Sequence, residues 1–248
     1  WTAGGVTVSA QKVLVLQEAQ EQERQWQLDG NASYVLHGQN ADTLIVIAKE
    51  EQELGAYVVD ATTPGVSISP LPTFDHTLRM ASVTFKGVIA SRVNAAIPVW
   101  EAVRQSLDLA LVALAGEQAG GAQKVLDFTV EYAKTRIQFG RQIGSFQAIK
   151  HMAADLLLET ESAISAARDA ARTLADDSQE SAQAISLAAF SCADAFVKTA
   201  ADGIQMHGGI AFTWEHPAHL YLKRARADAQ LFGTPAYHRE RYLQQLGA

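Results

Sequence analysis

The chain has 248 residues, 48% of them hydrophobic, and sets 20 Lys and Arg against 27 Asp and Glu for a formal net charge of −7. Ordinary core content excludes a disordered chain, and the acidic balance excludes global attraction to nucleic acid or to an anionic membrane. Any phosphate-bearing ligand must be held by local groups, and the length allows two domains that each bury a core.

The opening WTAGGVTVSAQ has no basic leader with an apolar stretch behind it, and no apolar run reaches the ~18 residues of a membrane helix, so a soluble, cytoplasmic chain is expected. Up to about Val93 the sequence reads as short extended segments: VTVSAQKVLVL, WQLDG, SYVLHG, TLIVIAKE, GAYVVD, GVSISPLP and MASVTFKGV. They are rich in Val, Ile, Thr and Tyr and are separated by turn signals at Asp29-Gly30, His37-Gly38 and Pro64-Gly65. Asn31-Ala32-Ser33 fits the glycosylation triplet but is read as chance without a secretory signal.

From about Pro98 the period changes to threes and fours. A helix is predicted from Val99 to Tyr132, and a long amphipathic one follows, with Phe146, Ile149, Ala153, Leu156, Leu157, Ile164 and Ala167 on one face. Further helices are expected over Gln183 to Met206 and Ala218 to Leu231, with a short one at the end. Ala-rich faces such as AISAARDAARTLA suit close antiparallel packing. The expected fold is α+β: a small antiparallel β-sandwich or barrel over residues 1–97, then an antiparallel four-helix bundle over 98–248. The lone Cys192 lies in an apolar helical run and reads as a buried thiol.

Two clusters stand out. Arg136-Ile137-Gln138-Phe139-Gly140 ends a long helix, and Gln147 opens the next. In isolation it reads as a helix C-cap whose Arg faces solvent and whose Phe closes the bundle end. As a functional group it is a guanidinium fork for a diphosphate with an aromatic ring beside it. The second cluster is Gln205-Met206-His207-Gly208-Gly209-Ile210-Ala211-Phe212, followed by Glu215-His216-Pro217. Paired glycines stop helices, and they also let backbone N–H groups approach a phosphate. Neither cluster is a dinucleotide-binding Gly-x-Gly-x-x-Gly or a P-loop. Glu215, His216 and His219 with His207 nearby form a weak metal candidate, and no metal site is expected. Lys223-Arg224-x-Arg226 reads as a solvated helix face, with a ligand phosphate as the remote alternative.

In this order and behind a β-rich half, the motifs resemble the acyl-CoA dehydrogenase family. DGNASYVLHGQNADTLIVIA looks like its middle β-domain and YAKTRIQFGRQIGSFQAIKHMAAD like its C-terminal segment; GIQMHGGIAFTWEHPAHLYLKRA and LFGTPAYHRER complete the pattern. The GGI-FTWEH and LFG-AYHRER wording is similar to the actinobacterial branch acting on CoA thioesters of steroid side chains. The resemblance implies FAD as cofactor, an acyl-CoA substrate, α,β-dehydrogenation in fatty acid or steroid side-chain β-oxidation, and an electron-transfer flavoprotein as acceptor. It sets Trp1 at about the first strand of the β-domain. The family's N-terminal helical domain is then expected to be absent, as in a trimmed fragment or a short form.

The family needs a carboxylate to remove the substrate α-proton, placed at one of two sites. Here the first reads Leu231-Phe232-Gly233-Thr234, with Phe232 in the carboxylate's place, and the second has Ala110. The segment that reaches flavin N5 reads Tyr34-Val35-Leu36-His37-Gly38, where Leu36 cannot donate a hydrogen bond. Ala211 replaces a family glycine, which puts tight backbone contact there in question. No catalytic residue is therefore assigned. Arg136, Phe139, Gln147, Gln205, Gly208, Gly209 and Thr234 are the cofactor-binding candidates, and the family uses all but Thr234 across a subunit interface. The expected role is the base-less subunit of a hetero-oligomer, a heterotetramer with a homologue that carries the catalytic Glu. The alternatives are an active homomeric dehydrogenase with its base moved to Glu101, Asp108 or Glu117, and a structural paralogue without redox work.

Overall fold

A computed structural model describes residues 3–14, 24–94 and 96–247 and divides the chain into two compact units, Trp1–Gln105 and Ser106–Ala248. The first carries β1 (Val8–Leu14), β2 (Arg24–Leu36), β3 (Thr43–Glu50), β4 (Glu53–Asp60), β5 (Val66–Leu71) and β6 (Met80–Arg92). The strand order is β2-β1-β3-β4-β6-β5, and a β2–β6 pairing closes the first five into a barrel. Strict alternation along β3 drives this: Leu44, Val46 and Ala48 point inward to meet Leu28, Tyr57, Val59, Val83 and Val88. Burying each of the larger of these side chains contributes about 1.5–3 kcal/mol.

The barrel departs from the expected pattern in two places. The β1–β3 pairing, at Ser9 and Lys49, is parallel, whereas the other pairings are antiparallel. WQLDG and SYVLHG are also one strand, β2, broken by register shifts at Leu28/Gly30 and Ala32/Val35. Asp29-Gly30 is a bulge within that strand: Asp29 Oδ1 accepts the Gly87 N–H at 2.8 Å. Gly30 there has φ 138, and a Cβ on it would lie 2.6 Å from the Thr7 carbonyl oxygen. Trp1, Val15 and Leu16 of the predicted segments lie outside the described residues.

The helices among the described residues are α1 (Val99–Thr135), α2 (Gln147–Ala175), α3 (Ser181–His207), α4 (Ala218–Asp228) and α5 (Pro235–Gln245), in the expected order. Small side chains set the helix spacing in the second unit. Ala115, Ala119, Ala163, Ala167, Ala188 and Cys192 share one core, and a Cβ on Gly121 would lie 2.5 Å from the Phe196 ring. Cys192 donates to the Ala163 carbonyl at 3.3 Å, and burial pushes its thiol up to about 12, so it is a packing residue. α5 lies along the first half of α3: Gln183 Nε2 donates to the Gln245 carbonyl at 3.0 Å, Phe190 meets Tyr242, and Asp194 pairs with Arg239. Contrary to the expectation from unbroken apolar runs, Ser181–Phe212 is long and apolar enough to cross a membrane by length and composition; 61% of its most apolar window is buried in the bundle.

Candidate functional site

The C-terminus of α1, the N-terminus of α2 and the C-terminus of α3 meet at one end of the bundle. Leu126, Leu156 and Met206, one from each helix, form a shared core with Val130, Ile149 and Met152 around it. Tyr132 then stacks on His207 with ring centroids 4.4 Å apart, and its hydroxyl reaches the His207 carbonyl at 3.4 Å. This contact joins the two sequence clusters, because Arg136 follows Tyr132 by one helical turn and Gly208 follows His207 directly.

Arg136 stands just past α1, exposed, with its carbonyl accepting from Ile143 N–H at 2.9 Å. It makes no ion pair among the described residues. Phe139 departs from the cap reading. The chain turns into a hairpin, β7 (Ile137–Gln138) and β8 (Arg141–Gln142), whose two tip residues Phe139 and Gly140 have φ 51 and 76. Two positive φ values are what a tight hairpin of this twist requires. The ring is carried out to 91% exposure instead of closing the bundle, with Phe146 edge-on at 6.2 Å and Arg141 4.0 Å over Phe146. Gln147 is the exposed first residue of α2.

At the end of α3, Gln205 is exposed and Gly208, with φ 69, turns the chain into a 3-10 segment, Gly208–Phe212. A Cβ on Gly208 or Gly209 would meet nothing within 4 Å, so the α-carbons of both face open space, while the Gly208 N–H turns inward to the Ile204 carbonyl. Ala211 corrects the sequence reading: it is fully buried beside Ile204 and Ala218, so its methyl occupies core and not the open face. Arg136, Phe139, Gln147, Gln205, Gly208 and Gly209 thus share one bundle end. The Gly208 N–H is engaged, donating to the Ile204 carbonyl, so the array that fits the adenosine diphosphate half of a flavin is a cation, an aromatic ring and two amides beside an open stretch of backbone.

Thr234 stands apart from this group. It caps α5, its Oγ1 accepting from Tyr237 N–H at 3.3 Å, with Pro235 in the first turn. Beside it, Phe232 has φ 58 and packs half-buried against the core of Leu111 and Ala115. Phe232 is thereby a packing residue of the bundle.

The candidate relocated bases are each engaged by an arginine. Asp108 accepts from Arg241 at 2.7 Å, Glu117 from Arg224 at 2.7 Å, and Glu101 from Arg104 at 3.4 Å. Arg224 also bonds Asp228 at 3.1 Å, and Lys223 lies 4.8 Å over the Trp214 ring. Lys223-Arg224-x-Arg226 is therefore mostly occupied within the fold and only Arg226 of the three is exposed, a correction to the solvated-face reading. His207 and His216 meet ring to ring, and among the described residues no three metal-ligating side chains converge. The aromatic box around His207, built by Phe128, Tyr132 and His216, was missed; its only sequence signal is the i, i+4 spacing of Phe128 and Tyr132 on α1.

The family profile described as acyl-CoA dehydrogenase, C-terminal domain, matches residues 100–247. The chain is 38% identical to the acyl-CoA dehydrogenase IpdE2 of Mycolicibacterium smegmatis over 205 residues, 83% of this chain and 58% of that one. The ChsE4-ChsE5 complex of Mycobacterium tuberculosis superimposes with a TM-score of 0.83 at 25% identity, covering 99% of this chain and 64% of that one. A steroid acyl-CoA dehydrogenase, Tcur3481-Tcur3483, superimposes with a TM-score of 0.78 at 27% identity, covering 90% and 60%. The chain belongs to the acyl-CoA dehydrogenase family, whose cofactor is FAD. It spans somewhat more than half the length of the curated relative and less than two thirds of those structures. These matches agree with the branch resemblance drawn from the GGI-FTWEH and LFG-AYHRER segments.

Proposed function

We propose that this chain is the base-less subunit of a heteromeric, cytoplasmic acyl-CoA dehydrogenase, and that its bundle end completes a flavin site whose carboxylate belongs to a homologous partner. One contrast carries the reading. The residues that would serve a neighbour's flavin are exposed together at one bundle end, whereas the positions that would serve the chain's own site hold Phe232, Ala110 and Leu36. The arginine pairs on Asp108, Glu117 and Glu101 count against a relocated base.

In this reading Arg136 binds the diphosphate, the side-chain-free Gly208 and Gly209 let it approach the backbone closely, Phe139 covers the adenosine side, and Gln147 and Gln205 supply amide contacts that fix orientation. FAD held by these residues would supply the acceptor for a hydride from the substrate β-carbon. This chain moves no proton in that step; it holds and orients, and its apolar Phe232 and Leu36 leave the α-proton to the partner's carboxylate. An acyl-CoA of the steroid side-chain type is the proposed substrate class, with an electron-transfer flavoprotein as acceptor.

Removing one charge-assisted anchor costs about 1.5–3 kcal/mol. Arg136→Ala is therefore expected to lower flavin affinity of the purified complex by roughly tenfold to a hundredfold, read as flavin lost on dialysis. Unchanged flavin content in that variant sinks the assignment.

A further inference from the structure

His207 is 4% exposed, and its Nδ1 lies 2.7 Å from the Gly203 carbonyl. That carbonyl accepts only from an N–H, so the proton sits on Nδ1 and Nε2 is bare, buried and without a hydrogen-bond partner among the described residues. His216 has the opposite tautomer: its Nδ1 accepts the Ala218 N–H at 3.2 Å, which leaves the proton on Nε2. The two rings lie 4.5 Å apart at 49°. Tyr132 covers the other side of His207, and Phe128 meets both imidazoles edge-on at 5.5 and 5.7 Å. Between the two histidines runs the whole segment that carries Gly208 and Gly209, so their contact fastens both ends of it to α1.

His207 is buried and His216 partly so, and the elements around them present no opposite charge to either ring among the described residues. α1 presents Phe128 and Tyr132. α4 presents Tyr221 on Phe128, His219 against Trp214, and the Lys223 ammonium over Trp214. α2 meets Met206 through Leu156, Ile149 and Met152. Glu215, next to His216, is exposed, and among the described residues no carboxylate contacts either imidazole. Burial, with His216 beside His207 and His219 beside His216, keeps both rings below the ordinary histidine value; the Gly203 carbonyl only partly offsets this at His207.

We propose that His207 and His216 form a proton-sensitive latch on residues 208–217, closed while both rings are neutral and opened when either is charged. Its consequence for the cofactor rests on the flavin reading above: an open latch withdraws Gly208 and Gly209 from the diphosphate. Once released, a histidine regains its ordinary value near 6.5. The closed form therefore has full strength above pH 6.5 and loses it as pH falls toward the lowered native value.

Hydrogen exchange read by mass spectrometry on the full chain tests this without any ligand. Corrected for intrinsic rates, protection of 208–217 is expected to fall about five- to tenfold between pH 7.5 and 5.5, while mid-α1 amides keep theirs. His216→Phe and His207→Phe keep a ring in place but take no proton, and each should reduce that fall. A flat wild-type profile overturns the latch, and so does a fall that is undiminished in both variants. The same pH series on the flavin-loaded complex separates the two ideas. If the segment opens while flavin stays bound, the latch stands and the flavin role of Gly208 and Gly209 falls.

Discussion

Arg241 bonds Asp108 at 2.7 Å, and His238, 1% exposed, lies beside that pair. Burial, helped by the Arg241 cation and opposed by the Phe232 carbonyl and Asp108, lowers the imidazole to about 4. An unfolded histidine takes its proton near 6.5, so between pH 6.5 and 4 the unfolded chain binds more protons than the native one. The native state therefore has this contribution in full above pH 6.5 and loses it as pH falls through that window, up to roughly 3 kcal/mol in all. Urea unfolding at pH 7.5 and 5.0 should show a loss of about 2 kcal/mol attributable to this group. His238→Gln should lack that part of the loss, and an equal pH dependence in both proteins contradicts the assignment. Phe232 shows how much a single position conveys: its apolar side chain is legible in the sequence, but its left-handed backbone and its place in the Leu111 core are not.

Among the elements, the long helices were legible because their burial recurs with one period over many turns, and α3 in particular buries one face along its whole length. β2 was not, since Asp29-Gly30 is a strong local turn signal that a cross-strand bond to Gly87 turns into a bulge. The Phe139 hairpin was hidden for a similar reason: a residue followed by glycine after a helix fits both a cap and a hairpin tip, and the pairing of Ile137 with Gln142 decides between them. The clusters around Arg136 and Gly208 were visible as sequence, whereas the Tyr132 and His207 contact that joins them spans α1 and α3 and leaves no local trace. Close packing of those two helices makes its own prediction. Gly121→Ala would place a methyl 2.5 Å from the Phe196 ring, so overpacking of about 1–3 kcal/mol is expected, seen as a lowered thermal midpoint. A midpoint equal to or above wild type would show that the α1 and α3 spacing yields more easily than this packing implies.

At the scale of the whole molecule, the proposed role has one chain offer partner-facing groups while apolar side chains fill its own reaction positions. That proposed division of labour requires an assembly, because a flavin held by Arg136 would still need a carboxylate that neither Phe232 nor Ala110 supplies. Native mass spectrometry of the complex isolated through this chain tests that claim most directly. The account predicts a mass fitting equal copies of this chain and of a base-bearing homologue, with one flavin for each pair of unlike chains. A homo-oligomer carrying one flavin per chain and active on an acyl-CoA would contradict it, and would return the search for a base to Glu101, Asp108 and Glu117.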